Sequence, residues 1–243
     1  MLSALTGVFI NAALIVAGSF FGLFFKKGMS EKLSSAISNA LALCVIYIGI
    51  SGSLKTVTVC GEEVGANVLI SVISMALGTL LGCLLNIDGN MNKLGVLAEK
   101  KLSKNSNGTF AKGFVNATLL FCIGAMAITG PIESALTGEH GTLIAKSTID
   151  GITAVIFTSA FGIGVMFSSI PILLYEGAIA IAAYYLGASF LSPEMTVALI
   201  SVGSLLIIGI GLNMLNITKI KVADMLPAVF LAPLLQLLLG GYL

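Results

Sequence analysis

Apolar residues in this chain come in runs near twenty long, and the charged residues collect in the gaps between the runs. At 1.5 Å per residue, a run of that length is what a helix needs to cross about 30 Å of hydrocarbon. Eight runs are marked: Leu5–Phe25, Leu33–Leu54, Val64–Leu85, Gly113–Thr129, Thr148–Ser168, Ile170–Phe190, Pro193–Asn213 and Met225–Tyr242. Pro227 and Pro233 interrupt the eighth, as in a broken or re-entrant helix, so seven spans is the second choice. The expected fold is all-α: a polytopic transmembrane helix bundle forming one membrane domain over residues 1–243, with no soluble part large enough to fold alone.

Composition agrees with this pattern. The chain is 57% hydrophobic and 9% charged, whereas about a quarter of a soluble domain is charged. A net charge of +1 gives no nucleic-acid footprint, which leaves the lipid bilayer as the main partner. Every basic residue is a lysine, and ten of the twelve lie in odd-numbered connections: Lys26, Lys27 and Lys32, then Lys93, Lys100, Lys101, Lys104 and Lys112, then Lys219 and Lys221. The even connections hold Lys55 and Lys146 against Glu62, Glu63, Glu133, Glu139 and Glu194. By the positive-inside rule the odd connections are cytoplasmic, and the N-terminus, uncharged over its first ten residues, is outside.

The longest connection, 86–112, is cytoplasmic on this reading. Part of it reads as a short surface helix, with Met91, Leu94, Leu97 and Leu102 among Lys93, Glu99, Lys100 and Lys101, before the flexible stretch Asn105–Gly108. A helix of this kind lies along an anionic leaflet, and a solvated linker is the competing reading. Gly18-x-x-x-Gly22 and Gly78-x-x-x-Gly82 allow close helix crossings, within one chain or between the subunits of a homo-oligomer. The two glycine pairs lie sixty residues apart, an echo of the kind that internal repeats produce.

Polar groups inside the spans are few and expensive, so they normally face a bundle interior or a wet cavity. Asn11, Asn67, Lys146 and Asp150 fall toward the outer side, and Asn39, Asn116, Glu176 and Asn213 toward the inner side, which predicts two polar layers. Glu176 sits about 7 Å past a helix start at Ile170-Pro171 and is a candidate proton carrier. Lys146 and Asp150, four residues apart, share a helix face. Ser147 and Asp150 also read as a capping box at the start of the fifth span.

His140 beside Glu139 is neither a metal site nor a catalytic pair and reads as an exposed loop residue. Cys44, Cys60, Cys83 and Cys122 lack metal-ligand or redox spacing and read as small apolar fillers. No zinc-protease motif, nucleophile elbow or phosphate loop appears, so neither an enzyme, a metal nor a cofactor is expected.

Phe9–Ala12 with the glycine pair that follows it, then Leu120–Gly130, Leu143–Asp150, Ile170–Leu174 and Asp224–Ala228, resemble a bacterial multi-pass membrane family known as domain of unknown function 554. The likeness spans nearly the whole chain. It implies a place in the bacterial cytoplasmic membrane and motif positions at Asn11, Lys146, Ser147, Asp150, Pro171, Asn213, Asp224 and Pro227, but it names no substrate.

Two functions compete. One is a transporter or channel for a small solute or ion, with Asn11, Asn39, Asn116, Lys146, Ser147, Asp150, Glu176 and Asn213 along its pathway. The other is a membrane scaffold or regulatory subunit in which the polar side chains only lock helices together.

Overall fold

The computed structural model of the protein describes residues 2–26, 30–59, 64–102, 109–123, 126–186 and 192–239. Lys27, Cys60, Glu62, Glu63, Lys104 and the stretch Asn105–Gly108 lie outside them, as do the side chains of Lys26, Lys55, Asn67, Glu99, Lys101 and Leu102. Among the described residues every regular element is a helix: α1 (Leu2–Lys26), α2 (Glu31–Val59), α3 (Val64–Leu85), α4 (Ile87–Leu102), α5 (Thr109–Cys122), α6 (Met126–Thr137), α7 (Gly141–Phe161), α8 (Ser169–Leu186), α9 (Pro193–Met214) and α10 (Leu226–Leu239). Two single 3-10 segments, Ile163–Ser168 and Val222–Met225, lead directly into α8 and α10.

The side-chain distribution on α1 shows which solvent these helices suit. Phe9, Phe20, Phe21, Phe24 and Phe25 are exposed, while Asn11 and Ser19 are wholly buried. A helix of a water-soluble protein shows the reverse. Lipid is as apolar as phenylalanine, so burying such rings gains little, and small or polar residues make the helix contacts instead.

The contacts gather into two units. The first comprises residues 1–40, 91–122 and 126–190. Here α1 lies along α7: Gly7 meets Leu143, Gly18 meets the Gly151 backbone, and Gly22 meets Val155 and Thr158. Numbers rise together on both helices, so the pair is parallel. The second unit comprises residues 41–90, 123–125 and 191–243. In it Gly78 faces Ala228 and Gly82 faces Asp224, so α3 and α10 run antiparallel. Gly49 faces Ser204 and Ile208 while Gly211 faces Ala42 and Ile46, so α2 and α9 are antiparallel as well. Both glycine pairs are thus used within the chain, but one meets a parallel partner and the other an antiparallel one. The sequence echo does not extend to equivalent packing.

If each candidate helix crosses once, these directions set the count of crossings. Seven helices are long and apolar enough to span, and α5 with α6, bent by 56° at their junction, makes an eighth if the pair crosses once. Two parallel spans need an odd number of crossings between them. Between α1 and α7, α2 and α3 supply two, so α5 and α6 supply the third. The antiparallel α3 and α10 need an even number between them, and α7, α8 and α9 reach it only with the same bent pair. The interrupted span is therefore the fourth and not the eighth, for Val222–Leu239 qualifies by itself despite Pro227 and Pro233. Pro227 stands in the first turn of α10, where its missing N–H costs nothing.

One boundary also moves. The fifth span, expected to begin at Thr148, starts at Gly141 and ends at Gly162, whose φ of +86° is a left-handed conformation that glycine adopts without strain. The sixth span then begins at Ile163, with the 3-10 segment as its first turns. The long connection contains the helix α4, with Leu94, Val96 and Leu97 exposed beside Lys93 and Lys100.

The topology makes a direct prediction. In a protein whose own cysteines are replaced by serine, a cysteine at Glu139 or Glu194 will react with an impermeant maleimide from one face of the membrane, and one at Lys100 or Lys219 only from the other. Lys100 and Glu139 reacting from the same face would mean that α5 and α6 do not cross.

Candidate functional site

The first unit buries a charged cluster. Lys146 and Asp150 are one helical turn apart on α7 and form an ion pair. Lys146 Nζ also lies 3.0 Å from Glu176 Oε1 on α8. Asn11 of α1 donates from Nδ2 to both Glu176 oxygens, at 2.8 and 3.0 Å. Asn11 and Glu176 are fully buried, and Lys146 and Asp150 keep 4% and 6% of their surface. Three helices thus place one ammonium, two carboxyl groups and one amide together. The Asn11 amide oxygen has no hydrogen-bond partner among the described residues.

This arrangement moves Glu176 out of the expected inner layer: it is at the level of Asn11, Lys146 and Asp150. The sequence reading started the sixth span too late. From Phe161 back to Lys146 is about 22 Å along α7. From Ile163 to Glu176, six 3-10 residues and seven α-helical ones rise about the same 22 Å. The tighter 3-10 turns carry Glu176 to the depth of Lys146.

Ser147 is not a cap either. It lies inside α7, buried, and donates to the Leu143 carbonyl one turn back. The residue before α7 is His140, half-buried rather than exposed in a loop, with its Nδ1 2.7 Å from Ser134 Oγ of α6.

The other candidates do not join the cluster. Asn39 is exposed on α2, and Asn116 is half-buried on α5. Asn213, in the second unit, spends its side chain on the loop that follows α9: Nδ2 donates to the Ile220 carbonyl at 2.6 Å, and Oδ1 accepts from Ile220 N and Thr218 Oγ1. Asp224 holds the next segment, its Oδ1 accepting from Asp88 N in the first turn of α4 at 2.8 Å. A carboxylate at a helix N-terminus is favoured by the helix dipole. Both residues therefore fix a turn.

Two residues beside the cluster were not singled out as participants: Tyr175, next to Glu176, and Cys122, at the end of α5. Both interact electrostatically with Glu176. Nothing in their spacing along the sequence connects Cys122 with α7 or α8. Among the described residues no group of three His, Cys, Asp or Glu side chains is arranged to hold a metal ion.

The model of a family described as "Protein of unknown function (DUF554)" matches residues 6–237. The chain belongs to this family. Among its relatives, "Uncharacterized membrane protein YdfK" of Bacillus subtilis (strain 168) is 29% identical over 236 residues, covering 97% of each chain. "Uncharacterized protein YqgA" of Escherichia coli (strain K12) is 31% identical over 230 residues, covering 93% of this chain and 94% of the other. No solved structure matches. Of the DUF554 positions that the sequence resemblance singled out, Asn11 and Lys146 contact Glu176, Asp150 pairs with Lys146, Ser147 follows Lys146 inside α7, and Asn213 and Asp224 fix turns in the second unit.

Proposed function

We propose that this DUF554 protein moves a small solute or ion across the bacterial cytoplasmic membrane, with its N-terminus outside, and that Asn11, Lys146, Asp150 and Glu176 engage what is moved. The observation that carries this reading is the buried cluster. Holding three ionisable side chains among membrane spans is costly, and such groups characteristically mark ion and substrate pathways. Helix interruptions support it: α5 and α6 are bent by 56°, and α8 enters through 3-10 turns, both features that free backbone polar groups. Lysines on the odd connections support the orientation.

The test is flux into proteoliposomes of the full-length protein, with sodium, potassium, protons and a panel of small charged solutes. At least one should accumulate along an imposed gradient. Asp150→Asn should slow its initial rate roughly tenfold to a hundredfold at equal incorporation, which is what loss of a charged hydrogen bond of about 1.5–3 kcal/mol predicts. A rate unchanged by Asp150→Asn would remove the cluster from the pathway. Absence of any flux would favour the scaffold, a role supported by the close crossing of Gly18 on Gly151.

A further inference from the structure

The cluster is short of one positive charge and of hydrogen-bond donors. Among the described residues one lysine faces two carboxyl groups, and no arginine or histidine is in contact with them. Each ionised carboxylate offers about four lone-pair sites, while a lysine and an asparagine together bring about five N–H groups. Four contacts already direct these donors at Asp150 Oδ2, Glu176 Oε1 and Glu176 Oε2. What remains in excess is oxygen. In particular the fully buried amide oxygen of Asn11, on the same carbon as the Nδ2 that grips Glu176, accepts nothing from any described residue. An amide oxygen without a donor is costly in such a place. The atoms left over, carboxylate and amide oxygens with no sulfur or imidazole ligand, are those that hard cations select.

We infer that Asn11, Asp150 and Glu176 form the site of one small monovalent cation, a proton or an ion of the sodium class, with Lys146 as the fixed internal counter-charge. This inference rests on the transport reading above and names the species that couples to it. The cation neutralises the cluster. As a sodium-class ion it takes oxygens from both carboxyl groups and from Asn11 Oδ1. As a proton it turns one carboxyl group into a hydroxyl donor that Asn11 Oδ1 can accept. The other titratable groups facing the cluster, Cys122 from α5 and Tyr175 from α8, carry no positive charge in any protonation state, so they cannot supply what is missing.

Binding to the purified full-length protein in detergent tests this without any transport assay. The readouts are heat of titration and unfolding temperature, with sodium, lithium, potassium or N-methylglucamine chloride at constant ionic strength, each at pH 6 and pH 8. A sodium-class ion will give a saturable rise in unfolding temperature with sodium or lithium, weakened at least tenfold at the lower pH, where protons compete. A proton alone will leave all salts equal and will appear as uptake of one proton, with a protonated-carboxyl band in the infrared spectrum.

Asp150→Asn and Glu176→Gln each remove one negative charge and leave a neutral cluster, and in Glu176→Gln the new amide can donate to Asn11. Both variants should fold, with an unfolding temperature that no longer responds to the ion or to the proton. Equal stability in every salt at both pH values, with no proton taken up, overturns the proposal. Ion binding in a protein that shows no flux would instead uphold this site and overturn the transport reading.

Discussion

Lys146→Met is expected to leave little folded protein in the membrane. Among the described residues the lysine is the single cation beside two buried carboxyl groups, with 4% of its surface exposed and contacts to both. Removing one partner of such a network strands the others, at a cost of about 3–5 kcal/mol. The usual margin of stability is about 5–15 kcal/mol, so this loss dominates the folded population of a marginal protein. The same accounting gives the rescue its sign. Lys146→Met combined with Asp150→Asn and Glu176→Gln carries no charge in the cluster, and replacing a buried ionic network by neutral groups is often neutral or stabilising. The triple variant should therefore recover the unfolding temperature and the monodisperse elution that the single variant loses. A single variant as stable as the parent would mean that water reaches the site and solvates the carboxylates.

Gly18→Val is the second change with a large expected effect. A β-carbon on Gly18 would run into the carbonyl oxygen of Gly151, and backbone cannot move aside as a side-chain tip can. Valine therefore forces α1 away from α7 at the middle of their parallel contact. Overpacking typically costs 1–3 kcal/mol, and occasionally more, and here the strain passes to the cluster, because Asn11 rides on α1 and Lys146 with Asp150 on α7. The expected result is an unfolding temperature lowered by several degrees, together with weaker binding of whatever the cluster holds. Gly141→Ala is the control, since a β-carbon there meets nothing within 4 Å. If Gly18→Val and Gly141→Ala unfold together with the parent, the close crossing carries no stability.

The lipid-spanning helices were readable because apolar length alone determines them. So were the close glycine crossings and the Lys146–Asp150 pair, which depend on spacings of four residues. Glu176 was found but put on the wrong side, since the sequence pattern does not reveal that residues 163–168 wind as a 3-10 helix and belong to the span. Ser147 carries the residue type of a cap, yet the helix begins six residues earlier, after a turn in which Gly138 takes a φ of +76°. Asn11 and Glu176 are 165 residues apart, and no local pattern joins them. Asn213 is the opposite case: a membrane asparagine invites a pathway role, but its amide closes the loop at Ile220, a contact that depends on how that loop folds back.

The parallel pairing of α1 with α7 has a consequence for biogenesis. At about 5–20 residues per second, the ribosome needs on the order of ten to thirty seconds to pass from Asn11 to Glu176. During that interval α1 waits in the bilayer with its glycine face unmatched and its amide unanswered. Of the seven qualifying spans α7 is the least apolar, because it brings Lys146 and Asp150. Helix α1, made before α7, is thus already in place as the docking surface for the one least able to enter lipid alone, and a chain shortened before residue 176 would release α7 with its lysine and aspartate but without the glutamate that completes their contacts.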